Sequence, residues 1–363
     1  MEAAFGLGTA LAARYYGEVV WPLLDRHAPG LPHAAALIGW GSEVLGFDSP
    51  RSTDHNWGPR GQIFLGPGDA DRAADITAML ADRLPEKFAG WPTRFPDVTA
   101  RNPAARHWVE VTELCQWLTD HLGFDPRAGV GLLDWLATPT QVLAERTSGA
   151  VFNDGLEAGA GGSAGGLHAV RAALAWYPDD VWRYVLACQW ARIGQEEAFP
   201  GRCAEAGDEL GSAVVAARLS RDLMRLAMLM RRRYPPYSKW LGSAFARLPG
   251  VSDALQHSLA AALGARSWSD REQNLCASYE AVAGLHNELG LTDPVDRSVR
   301  PYHDRPYRVI DAGRFVAPLL DSISATEIRR LPPTGAVDQF IDSTDATGDL
   351  RLLRAAISVQ LGR

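Results

Sequence analysis

The sequence predicts an α+β protein in two domains: a mixed sheet with flanking helices over residues 1–147, followed by an all-helical C-terminal domain over 148–363. Three observations carry this. Strand-length runs fall in the first part, at 34–38, 62–65 and 107–111, the last alternating apolar and polar side chains. From Val170 onward apolar residues recur at helical spacing instead. Between the two lies 158–166, a glycine-rich run that reads as a flexible connector, because it lacks both the spacing and the Lys-Ser/Thr ending of a phosphate-binding loop.

The totals bound the class. At 363 residues the chain can hold two cores, and 47% hydrophobic with 22% charged residues excludes wholesale disorder. A formal charge of −7 weighs against a broad nucleic-acid footprint, which needs a cationic face. The four cysteines, at 115, 188, 203 and 276, include no Cys-x-x-Cys pair, so a zinc site or disulfide framework is not expected and a reducing cytoplasm fits. The opening Met1-Glu2 has no basic stretch, and Arg14, Glu18 and Asp25 interrupt the apolar residues after it, so neither a signal peptide nor a membrane span is expected.

In chain order, residues 3–27 predict an amphipathic helix with Leu11, Tyr15, Val19 and Leu23 in one stripe, ended by Pro29-Gly30. The apolar run 34–38 then leads into Gly41-Ser42. Glycine lets a ligand approach the backbone closely, so this pair can face phosphate oxygens. After a Pro-containing loop come Asp54 and Asn56, which on an extended strand would point to one face and present two oxygen donors suited to Mg²⁺. A turn capped by Ser52-Thr53-Asp54 is the plainer alternative.

Gly41-Ser42-Glu43-Val44-Leu45-Gly46-Phe47-Asp48 followed by Ser52-Thr53-Asp54-His55-Asn56-Trp57-Gly58-Pro59-Arg60 resembles a bacterial family of unknown function within the DNA polymerase beta-like nucleotidyltransferase superfamily, grouped with the aminoglycoside-type enzymes. That superfamily carries Gly-Ser and then Asp-x-Asp or Asp-x-Glu. Here the second acid is Asn56, an amide that supplies an oxygen but no charge, which weakens metal affinity. The resemblance implies a nucleotidyltransferase-type sheet, a nucleoside triphosphate such as ATP, a small-molecule acceptor, Mg²⁺ on Asp54, Asn56 and Glu110, and a cleft between the two domains. It implies phosphates cradled by Gly41 and Ser42 and neutralised by Arg60 and Lys239.

Further along, Asp69 reads as the N-cap of a helix with Ala73, Ile76 and Leu80 on one face, stopped by Pro85. Residues 88–105 read as a loop. The strand at 107–111 offers Glu110 as the third carboxylate that the resemblance calls for, with Glu113 behind it; an exposed edge-strand glutamate is the alternative. Residues 132–136 and 141–143 read as helical turns at a domain junction. Asp154 is either a pocket-wall base or the acceptor of an Asx-turn.

In the second part, 178–193 and 208–233 predict helices, the first with Asp179 and Asp180 at its positive end, and 270–289 predicts another. The resemblance returns at Tyr234-Pro235-Pro236-Tyr237-Ser238-Lys239-Trp240. Lys239 in a first helical turn opposes the dipole unless an anion is near; a solvated lysine is the alternative. Glu197, among polar residues that also match the family, is either a second candidate base or part of a salt-bridge network. The function implied is transfer of a nucleoside monophosphate onto a hydroxylated acceptor. Asn56 also motivates its rival, a nucleotide-binding or regulatory protein that kept the fold without turnover.

Overall fold

The computed structural model describes residues 5–54, 57–95, 105–156 and 165–363. These divide into two compact units, the first comprising Met1–Asp134 with Val142–Ala175 and the second Trp135–Gln141 with Trp176–Arg363. The division runs through α5 (Leu132–Ala137) and α6 (Thr140–Thr147), where the sequence indicated a junction.

Unit 1 opens with α1 (Gly8–Tyr15), a π turn at Tyr16–Val20 and α2 (Trp21–His27). The π turn comes just before Trp21 and Pro22, the latter having no N–H to donate to the helical ladder. It also moves the buried stripe by one residue. Leu11 and Tyr15 are buried as the four-residue spacing requires, but beyond the turn Val20 and Leu24 take the places expected for Val19 and Leu23.

Among the described residues the sheet is five-stranded and mixed. β1 (His33–Leu37) pairs antiparallel with β2 (Arg60–Leu65) on one side and β7 (Ala150–Asp154) on the other. A hairpin of β3 (Lys87–Phe88) and β4 (Trp91–Pro92) precedes β5 (Arg94–Phe95), so 88–95 is not plain loop. β5 pairs with the start of β6 (Arg106–Glu113), which runs parallel to β2 with Glu110 opposite Gln62. Because β7 belongs to this sheet, the first unit extends well past Thr147.

Side chains alternate across a strand, so Ile63, Leu65 and Val109 share one face. They pack with Tyr15, Val20 and Leu24, and with Ile76 and Leu80 of α3 (Ala73–Arg83). Arg60, Gln62, Phe64, Trp108 and Glu110 share the opposite face. There Phe64 meets Trp117 of α4 (Leu114–Leu122) edge-on, with ring centroids 5.1 Å apart. Asp69 is not the cap of α3; it sits in a 3-10 turn, Pro67–Arg72, and pairs with Arg72. A short α7 (Leu167–Ala173) completes the unit.

Unit 2 is helical apart from a two-residue ladder of β8 (Arg300–Pro301) and β9 (Arg308–Val309). Its core is α8 (Asp179–Glu196), α9 (Phe199–Glu205), α10 (Glu209–Met230), α11 (Ser238–Ala246), α12 (Asp253–Gly264), α13 (Trp268–Glu288) and α14 (Gly313–Asp321). α10 packs on α8, α9, α11, α12 and α13, and Trp190 of α8 stacks on Phe315 of α14 at 4.2 Å. α15 (Thr326–Arg329), α16 (Thr344–Thr347) and α17 (Leu350–Gln360) close the chain. The segment Trp135–Gln141 joins this unit because Asp338 Oδ2 accepts from Thr140 N at 3.1 Å and pairs with Arg225 Nη2 at 2.7 Å, all buried. No described helix is long and apolar enough to cross a membrane.

Candidate functional site

The loop between β1 and β2 is organised by Arg60. The first residue of β2, it is buried, and its Nη2 lies 2.6 Å from Glu43 Oε1 and donates to the Trp40 carbonyl at 2.7 Å. Its Nε donates to the same glutamate oxygen at 2.8 Å, and its guanidinium lies 4.0 Å from the centroid of the Trp40 ring. Gly41, at φ +132°, makes room for this pair, since a Cβ there would lie 2.3 Å from Arg60 Nη2. Gly41 and Arg60 are thus brought together as expected, but around Glu43. An arginine already neutralised has little charge to offer a phosphate.

Asp48, from the same string, accepts from Gly8 N at 2.8 Å and from Trp57 Nε1 at 3.1 Å, which ties the loop to the start of α1. Ser42 Oγ donates to Ser52 Oγ at 3.2 Å. Ser52 belongs to a 3-10 helix, Pro50–Asp54, in which Thr53 Oγ1 donates to the Pro50 carbonyl at 2.8 Å. Asp54 is therefore at the end of a 3-10 helix and not on an extended strand. The hydroxyls of Ser52 and Thr53 satisfy local backbone groups and favour the turn, and β2 begins only at Arg60. Asp54 is half exposed and lies 3.4 Å from Arg51 Nε. Asn56 lies outside the described residues, as does most of the glycine-rich run.

Glu110 is exposed on β6, the later strand of the same sheet. It lines a cleft of about 660 Å³ with Trp40, Arg60, Gln62 and Trp108, all from unit 1. Gln62 forms part of the cleft wall, bonded through its side chain to both the N–H and the carbonyl of Ile38, at 3.2 and 3.1 Å. Trp108 stacks on Phe95 with centroids 4.2 Å apart and meets Trp40 edge-on at 6.1 Å, while Trp40 itself is 50% exposed. An open carboxylate therefore sits beside an aromatic wall. Glu113 caps α4, accepting from Cys115 N and Gln116 N at 2.8 and 2.7 Å.

Asp154 is likewise a cap: its two oxygens accept from Leu167 N and His168 N at 3.0 and 2.8 Å, at the start of α7. Glu197, in unit 2, accepts from Asp311 N and Ala312 N at 2.9 and 3.0 Å, ahead of α14. Burial pushes its carboxyl up to about 7, against those two donors. Lys239 is exposed in the first turn of α11, its Nζ 4.9 Å from the Trp240 ring centroid.

Arg146 of α6 carried no signal in the sequence, since one arginine on a short helix is unremarkable. In the fold it is buried, with its guanidinium 4.7 Å from the Trp117 ring centroid. Burial pulls it below the usual arginine range, while Glu145 and Glu110 act in the other direction.

Residues 135–241 match the model of a family described as a domain of unknown function, DUF4037. This stretch includes Arg146, Asp154, Glu197 and Lys239, but neither the 41–60 string nor Glu110. No curated protein matches the chain, and no solved structure does.

Of the donor set expected for Mg²⁺, Asp54 and Glu110 are described, and Asp54 already faces Arg51. Among the described residues no three His, Cys, Asp or Glu side chains gather as a metal site. The expected set holds two such residues, Asp54 and Glu110, with the amide of Asn56 as its third donor.

Proposed function

We propose that the chain is a nucleotidyltransferase that moves a nucleoside monophosphate from a nucleoside triphosphate onto a hydroxyl of a small acceptor. The observation that carries this reading is the placement of Glu110. It stands, open, on a strand parallel to β2, on the face that also presents Arg60, in a cleft bordered by Trp40 next to the Gly41-Ser42 turn. In this reading the acceptor oxygen attacks the α-phosphorus, pyrophosphate leaves, and Glu110 takes the acceptor's proton. The half-exposed ring of Trp40 offers a flat surface for the base. The small, aromatic-walled cleft and the acidic balance of the chain favour a small acceptor over a nucleic acid.

A second reading, nucleotide binding without turnover, is favoured by the internal neutralisation of Arg60 by Glu43 and by the amide at position 56. Incubating the protein with nucleoside triphosphates and a metabolite extract, with and without magnesium salts, separates the two. Mass spectrometry is expected to find a metabolite heavier by one nucleoside monophosphate unit. Triphosphate binding by calorimetry without such a product supports the second reading, and turnover gained only by Asn56→Asp supports it further. The absence of triphosphate binding refutes both.

A further inference from the structure

Two guanidinium groups adjoin the Gly39-Trp40-Gly41 turn, and they differ in one respect. Arg60 has its carboxylate and its carbonyl, both within hydrogen-bond reach. Arg146, only 5% exposed, has no comparable satisfaction: its Nε and Nη1 are buried without a hydrogen-bond partner among the described residues. Its ion pair with Glu145 Oε2 spans 3.6 Å, too long for a hydrogen bond; Glu110 acts on it through charge alone, and its guanidinium lies over the face of Trp117. A buried cation with idle donors is a costly arrangement that folding alone does not reward.

The surroundings suit a ligand. Gly39 stands over the guanidinium at φ +89°, and a Cβ there would come within 3.2 Å of Nη1, so glycine leaves that side of the cation free of a side chain. The Gly39 N–H is held by the Glu145 carbonyl at 3.0 Å, which fixes the turn against the helix that carries Arg146. Trp40, the next residue in the chain, lines the cleft of unit 1.

We propose that Arg146 is the residue of unit 1 that binds an anionic oxygen, one of those on the phosphate tail of a nucleoside triphosphate, under the Gly39–Gly41 turn. This deepens the nucleotidyltransferase reading and rests on it for the identity of the ligand. It assigns to Arg146 the role that the sequence offered to Arg60. The idle Nε and Nη1 donors, closed off from solvent in this structure, become satisfied when the Gly39–Gly41 turn admits the anion.

The test uses the full-length chain, inorganic tripolyphosphate as the probe, and Arg146→Met, which fills the same space without charge. Calorimetry is expected to show tripolyphosphate binding weakened roughly tenfold or more in Arg146→Met, the loss of a charge-assisted hydrogen bond, and partly kept in Arg146→Lys. In anion-free buffer Arg146→Met is expected to melt at or above the wild-type temperature, because a buried charge with two idle donors has been removed. A structural arginine would instead give a lower melting temperature or a chain that does not fold, and either result overturns the proposal. Unchanged tripolyphosphate affinity, or a wild-type chain that binds none, overturns it too. Pyrophosphate release from ATP separates the two levels. Tripolyphosphate binding lost in Arg146→Met, in a wild-type chain that releases no pyrophosphate, leaves this inference standing and removes the transfer reading. Release unaffected by Arg146→Met does the reverse.

Discussion

Arg60 and Glu43 form a buried ion pair, 2.6 Å between Nη2 and Oε1, at the point where the β1–β2 loop becomes strand. Removing one partner leaves the other charged, desolvated and unpaired. Glu43→Ala is therefore expected to destabilise unit 1 by about 3–5 kcal/mol, read from the urea midpoint. The double change to Glu43→Leu with Arg60→Met should cost much less, since neither charge is then stranded. A single variant within about 0.5 kcal/mol of wild type, the range of an ordinary surface substitution, would show that the pair does not hold the loop.

Asp154 is expected to matter for stability and not for turnover. Its oxygens cap α7, and loss of such a cap costs about 1 kcal/mol. Asp154→Ala should lower the melting temperature by a few degrees at unchanged turnover per folded molecule. A large loss of turnover with an unchanged melting temperature would make Asp154 a candidate base again.

Glu197 gives unit 2 a pH dependence whose sign is set by burial. Its folded carboxyl titrates at about 7, against an ordinary value of 4.5, so between those limits the folded state keeps a proton that the unfolded state has released. The contribution is fully present below pH 4.5 and is lost as pH rises through 7, at up to about 1.4 kcal/mol per pH unit. Glu197→Gln has no proton to lose, so chemical denaturation across this window should show a stability that declines more steeply in wild type than in the variant. Parallel curves would contradict this.

Much of the framework was legible in the sequence because it rests on local pattern. The runs that became β1, β2 and β6 and the stripe from Leu11 to Tyr15 were readable. What escaped depended on contacts distant in the chain. The one-residue slip from Val19 to Val20 comes from a π turn that helical spacing does not encode. β7 was missed because its partner, β1, lies more than a hundred residues earlier. In the candidate site, types of residue were easier to read than their roles. Glu110 is singled out by the resemblance, which asks for a carboxylate on a later strand, and Arg60 by its place at the end of the 41–60 string. That Glu43 occupies Arg60, and that Arg146 keeps two donors without a hydrogen-bond partner among the described residues next to the same turn, are facts of tertiary packing.

The measurement that tests the central claim most directly is pyrophosphate release from a nucleoside triphosphate, with acceptor present, by the wild-type chain and by Glu110→Gln. The amide keeps the shape of the side chain and removes its ability to accept a proton. Release is expected in wild type and a fall of about a hundredfold or more in the variant, at unchanged fold and triphosphate affinity. Equal rates in the two proteins would contradict the account.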